Sequence, residues 1–159
     1  MNQQDRRTFL KQTGTGVAGV GVASAAVLTS SSPSAKAQGA NERVNVGLIG
    51  CGGRGIQVAR AIGSQDDAVV RYVCDPDSTR ATKAKDNAGA AHAVSDLRRI
   101  LDDRSIDAVV IAACDHWHAP AAILACEAGK HVYVEKPCSH SVHEGRLMID
   151  AARRNKRVM

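Results

Sequence analysis

The stretch "VNVGLIGCGGRG", Val44 to Gly55, constrains the fold of this 159-residue chain more than any other. An apolar run, Val44 to Gly50, leads straight into Gly50, Gly52 and Gly55 in G-x-G-x-x-G spacing, and a helix-like stretch follows. The spacing alone says little, because glycine turns are common. Its place between a buried strand and a helix says more. Backbone N–H groups around Gly52, Gly53, Arg54 and Gly55 then face outward at the positive helix end, where a pyrophosphate can sit. Asp75 stands 20 residues beyond Gly55, at the end of the next apolar run. A carboxylate there can accept hydrogen bonds from both ribose hydroxyls of an adenosine. A dinucleotide site is the expectation. The charge of Asp75 favours NAD, since it would repel a 2′-phosphate. Ser78 and Arg80 leave NADP open, although a helix start and a solvated face account for them better.

The rest of the chain repeats the strand–helix alternation. "AVVRYVCD", "IDAVVIAA" and "HVYV" read as strands, and "HAV" as a short one. "GRGIQVARAIGS", "DSTRATKAKDNAG", "DLRRILD", "HAPAAILACEAG" and "SVHEGRLMIDAARRN" read as helices. Ser95 is placed to cap the third of these, Gly129 to close the fourth, and Ser141 with Glu144 to form a capping box on the fifth. "RVM" looks like the start of a further strand. This alternation predicts an α/β fold, a doubly wound parallel sheet with helices on both faces.

Residues 1–37 do not fit that pattern. Paired Arg6 and Arg7 precede Phe9 and Leu10, an uncharged run of small residues follows, and "AKA" stands before Gln38. This is the layout of an export signal, and the arginine pair makes it resemble a twin-arginine (Tat) signal. Cleavage after Ala37 is expected, with 38–42 a linker and 43–159 the folded domain. The partner implied is the Tat export machinery, and the location is periplasmic or secreted. A membrane anchor fits less well, because the apolar run is glycine-rich and weakly hydrophobic. The leader carries Arg6, Arg7, Lys11 and Lys36 against Asp5, so +3 of the +5 net charge lies there, and the other 122 residues hold only +2. With no long basic run, nucleic acid is not an expected partner. Five cysteines, with no C-x-x-C, argue against a disulfide framework. Unpaired thiols suit a protein folded in a reducing compartment before export.

Two further stretches carry chemistry. "AACDHWHAP" follows a strand, and ligands of such sheets bind beyond the carboxyl ends of the strands. Asp115, His116, Trp117 and His118 therefore stand where a nicotinamide or substrate would lie. Cys114, Asp115, His116 and His118 also hold metal-ligand atoms. Nothing else completes a site, since His140 and His143 lack support, and no metal is expected. "HVYVEKP" ends at the same sheet edge. Lys136 there can hydrogen-bond a substrate hydroxyl and stabilise an alkoxide. Glu135 can hold the lysine or the cofactor, and Pro137 keeps Lys136 extended. An exposed Glu–Lys pair at a strand end explains the same residues equally well.

The glycine turn, Asp75-Pro76, "DHWHAP" and above all "AGKHVYVEKP" resemble the N-terminal half of the Gfo/Idh/MocA oxidoreductases, relatives of glucose–fructose oxidoreductase and inositol dehydrogenase. The resemblance covers about Arg43 to Met159. It implies an NAD(P)-binding Rossmann domain followed by a larger α/β substrate domain, with sugars, cyclitols and their derivatives as substrates. It makes Lys136 the catalytic lysine, puts Glu135 near the cofactor, and matches Asp115 and His118 to the family's nicotinamide stretch. His116 is the second catalytic candidate. Ala113-Cys114 replaces the usual Thr-Pro, so the turn there is expected to differ. The second domain is absent from this chain, which reads as a fragment stopping inside a sixth strand. The family's homo-oligomers form through that missing domain. Three functions stay open: an exported NAD(P)-dependent oxidoreductase, an NAD-dependent glycoside hydrolase on the same scaffold, and a non-catalytic dinucleotide-binding domain.

Overall fold

The computed structural model describes residues 43–159, so the leader, its cleavage point and the linker lie outside the described residues. Five strands, β1 (Val44–Ile49), β2 (Ala68–Cys74), β3 (His92–Val94), β4 (Ala108–Ile111) and β5 (His131–Val134), alternate with five helices. These are α1 (Gly53–Gly63), α2 (Ser78–Ala88), α3 (Arg98–Leu101), α4 (His118–Glu127) and α5 (Val142–Arg154), with a 3₁₀ turn at Asp115–Trp117. All pairings are parallel, in the order β3-β2-β1-β4-β5. The order reverses direction between β1 and β4, which opens a crevice at their carboxyl ends.

Alternate residues of the central strands β1 and β4 feed opposite cores, as a sheet covered on both faces requires. Val46, Leu48, Val70 and Val73 pack with Ala59 and Ala84 under α1 and α2. Ile49, Val109, Ile111 and Val132 pack with Ala121, Ala125, Met148 and Ala151 under α4 and α5. Small residues on the helices let them lie close to the sheet. On α4, Ala119, Ala121, Ala122 and Ala125 are all fully buried.

Local signals explain most boundaries. Asp77 caps α2 by accepting from Thr79 and Arg80 N–H, and Gly89 closes it in the left-handed region at φ 65°. Gly129 follows α4 at φ 78°, where its N–H and that of Lys130 satisfy the carbonyls of Cys126 and Ala125. The capping box of α5 is present. Ser95 does not cap α3, contrary to expectation. Asp96 does the work, its carboxylate accepting from Arg98 N–H at 3.0 Å. A carboxylate two residues before the helix closes that turn on itself, and Ser95 is left facing the crevice. The expected strand at "RVM" amounts to one rung. Val132 donates to Val158 O at 2.9 Å and Val158 N–H reaches His131 Nδ1 at 3.0 Å, so the outer edge of β5 is partly paired.

Candidate active site

The crevice between β1 and β4 is a groove of about 790 Å³. Gly50, Gly52, Asp75, Pro76, Asp77 and Arg80 line one side, and Ala112, Ala113, Cys114, His116 and Trp117 the other. The glycines divide the labour. A Cβ on Gly50, at φ +94°, would lie 2.6 Å from the Ala112 carbonyl, and one on Gly55 would lie 2.1 Å from Gly50 O. These two let the turn approach β4 and let α1 approach the turn. A Cβ on Gly52 or Gly53 would meet nothing within 4 Å. The space beside them is open, no side chain caps α1, and its first turn has no acidic residue. An anion can therefore come up to bare N–H groups at a positive helix end.

Asp75 is buried and anchors this turn. It accepts from Cys51 N–H and from Asp77 N–H, each at 2.9 Å. Each oxygen keeps a lone pair for a ribose hydroxyl. Cys51 points inward, its Sγ against Cys74 O. Burial, then the charge of Asp75, pushes its thiol up to about 12, so it is an inert packing group. These residues fit an adenosine pyrophosphate: bare backbone donors, open space where a side chain would intrude, and a buried carboxylate at the end of β2.

Three cross-loop contacts join the loops after β1, β4 and β5. Arg54 Nε and Nη2 both reach Glu135 Oε1 at 2.7 Å. Burial pushes the Glu135 carboxyl up, but hydrogen bonds from Arg54 and the Lys136 N–H and the charge of Arg54 outweigh it. The carboxyl stays below the usual range. His118, fully buried, sets its two ring nitrogens 2.5 Å from Pro137 O and 3.0 Å from Ala113 O. His140 Nδ1 lies 3.4 Å from Asp115 Oδ2. The His116 N–H and then His140 hold the Asp115 carboxyl low.

The sequence-derived candidates thus fall into two groups. Gly50, Gly52, Asp75 and His116 line the groove. Glu135, Arg54, His118 and Asp115 tie loops together, and His118 does so with both polar atoms engaged by carbonyls. The ammonium of Lys136 has no partner among the described residues, and Glu135 has paired with Arg54 instead. A plain Glu–Lys pair at the strand end is therefore not what the structure contains. The Lys136–Pro137 peptide is cis. Sequence reasoning missed Asp77 as a groove residue, although an aspartate before a helix is a readable cap. It also passed over the pairing of His140, for which no local signal exists.

The sequence model of an oxidoreductase family, described as having an NAD-binding Rossmann fold (GFO_IDH_MocA), matches residues 44–159. The chain is 30% identical to a glycosyl hydrolase family 109 protein of Shewanella baltica, over 99% of this chain and 39% of that protein. It is 34% identical to the levoglucosan dehydrogenase of Pseudarthrobacter phenanthrenivorans, over 70% of this chain and 31% of the enzyme. A solved levoglucosan dehydrogenase, in complex with NADH and L-sorbose, superposes with a TM-score of 0.64 at 35% identity, covering 70% of this chain and 32% of that one. The chain thus spans under two-fifths of the length of these relatives.

Proposed function

The chain belongs to the Gfo/Idh/MocA oxidoreductase family, and from that premise we propose that it is the dinucleotide-binding part of an exported NAD-dependent oxidoreductase acting on a sugar, a cyclitol or a derivative. The observation that carries this reading is the open face of Gly52 and Gly53 at the uncapped start of α1, beside the buried carboxylate of Asp75. Bound there, the dinucleotide supplies the acceptor or donor of a hydride. The chain's own residues supply the rest. Gly52, Gly53 and the first N–H groups of α1 hold the pyrophosphate, and Asp75 takes the ribose hydroxyls. Asp77 adds a second carboxylate to the groove and pairs with Arg80 at 3.4 Å. Both features favour NAD over a dinucleotide with a 2′-phosphate. Lys136 donates a hydrogen bond to the reacting hydroxyl and stabilises its developing negative charge. His116, on the groove wall, accepts or returns a proton there. The twin-arginine leader supports a location outside the cytoplasm.

One observation favours a second reaction on the same site. The alignment with the glycosyl hydrolase family 109 protein runs over 99% of this chain, leader included, whereas that with levoglucosan dehydrogenase covers 70%. A hydrolase of this kind would oxidise and re-reduce the sugar around cleavage of its glycoside. Incubation with NAD and a panel of free sugars and aryl glycosides separates the two. NADH accumulating with a free sugar supports the dehydrogenase. Glycoside cleavage with no net NADH supports the hydrolase. Neither, with the dinucleotide demonstrably bound, leaves a binding domain that does not turn over alone.

A further inference from the structure

Glu135 and Lys136 follow one another at the end of β5, and the backbone N–H of Lys136 already touches the Glu135 carboxylate at 3.3 Å, so the lysine's flexible four-carbon stem starts beside that charge. The two side chains nonetheless do not pair. Glu135 is 6% exposed, and its carboxylate is filled by Arg54 at 2.7 Å, the Lys136 backbone N–H at 3.3 Å and Tyr133 O–H at 3.4 Å. A buried carboxylate must be paired. Were Arg54 absent, the ammonium of Lys136 could swing to the carboxylate that its own backbone already touches. Arg54 comes from the glycine turn, 81 residues away in sequence, and reaches across the end of β4 to Glu135. Its guanidinium is always charged and brings donors on two separate nitrogens, held in a planar fork, to one oxygen.

We infer that Arg54 is a positioning residue that keeps Lys136 free, by taking the Glu135 carboxylate that would otherwise capture the neighbouring ammonium. The glycine turn then does two things at once. Its N–H groups hold the dinucleotide, and its one long side chain clears the lysine for the substrate. The inference rests on the reading of Lys136 as the substrate-facing lysine, but its test needs neither dinucleotide nor substrate.

The experiment is residue-resolved labelling of the whole chain with trinitrobenzenesulfonate, the rate at Lys136 being read by mass spectrometry. An ammonium locked onto a carboxylate keeps its proton and reacts more slowly, by roughly tenfold for a close pair. R54M is therefore expected to slow labelling at Lys136 by roughly that factor. R54M/E135Q should restore the wild-type rate, and E135Q alone should leave it unchanged. A loss of packing would not be reversed by the second substitution. An R54M protein that labels Lys136 at the wild-type rate overturns the inference, and so does a double variant that stays slow. If R54M unfolds, buried Lys130 will become labelled and report it. R54Q, which keeps a polar group against Glu135, then takes its place: slower labelling at Lys136 that is reversed in R54Q/E135Q upholds the inference, and a wild-type rate in R54Q overturns it. NADH binding is measured separately, so failure of either result leaves the other standing.

Discussion

Gly52 and Gly55 sit in one turn and answer to different constraints. At Gly55 a Cβ would lie 2.1 Å from a backbone oxygen, which cannot move without moving the turn. At Gly52 it would meet nothing. Gly55→Ala is therefore expected to cost about 1–3 kcal/mol or more, as overpacking does. Gly52→Ala should unfold at the wild-type denaturant midpoint and bind NADH less well. Urea unfolding of both variants checks this, and equal losses would show that the turn works as one packed unit. The spacing of the glycines was readable from the chain, but which of them packs and which opens was not. That depends on β4, which lies beyond the reach of local pattern. Arg54 shows the same limit. In sequence it is one more residue of the glycine turn, and only the tertiary fold brings it to Glu135. Asp75 was legible because its place at a strand end is fixed by the alternation itself.

The elements were legible where a signal acts over a few residues. The capping box of α5 is such a case. Ser141 Oγ accepts from Glu144 N–H at 3.2 Å, and Glu144 Oε2 accepts from Ser141 and His140 N–H at 3.2 and 2.9 Å. Ser141→Ala should cost about 1 kcal/mol of stability, seen as a lower denaturant midpoint with an unchanged slope. A cost near zero would mean that Glu144 alone holds the start of the helix. The cap of α3 was misread because Ser95 and Asp96 stand side by side and both can cap. The carboxylate closed the nearer turn, and a helix of four residues gives too short a pattern to arbitrate. The cross-loop ties of His118 and of Asp115 with His140 had no sequence signal at all. Each depends on β4 and β5 being neighbours, which periodicity does not reveal.

At the scale of the molecule, strand–helix alternation was enough to imply a doubly wound parallel sheet, and right-handed crossovers limit the orders open to it. The order places β1 beside β4, and that juxtaposition makes the groove. It also sets β4 between β1 and β5, so Arg54 must reach over β4 to meet Glu135. The fold thus gathers the open glycines at the start of α1, the buried carboxylate of Asp75 and Lys136, whose ammonium meets no partner among the described residues, at one end of the sheet. A sheet end so built is expected to bind a dinucleotide. The most direct test is a titration of the chain with NADH, followed by the fluorescence of Trp117, its only tryptophan, which lines the groove. A saturable quench is expected, one that Gly52→Ala weakens and that NAD competes away. No quench and no bound nucleotide by equilibrium dialysis, with NADH raised to millimolar levels, would contradict it.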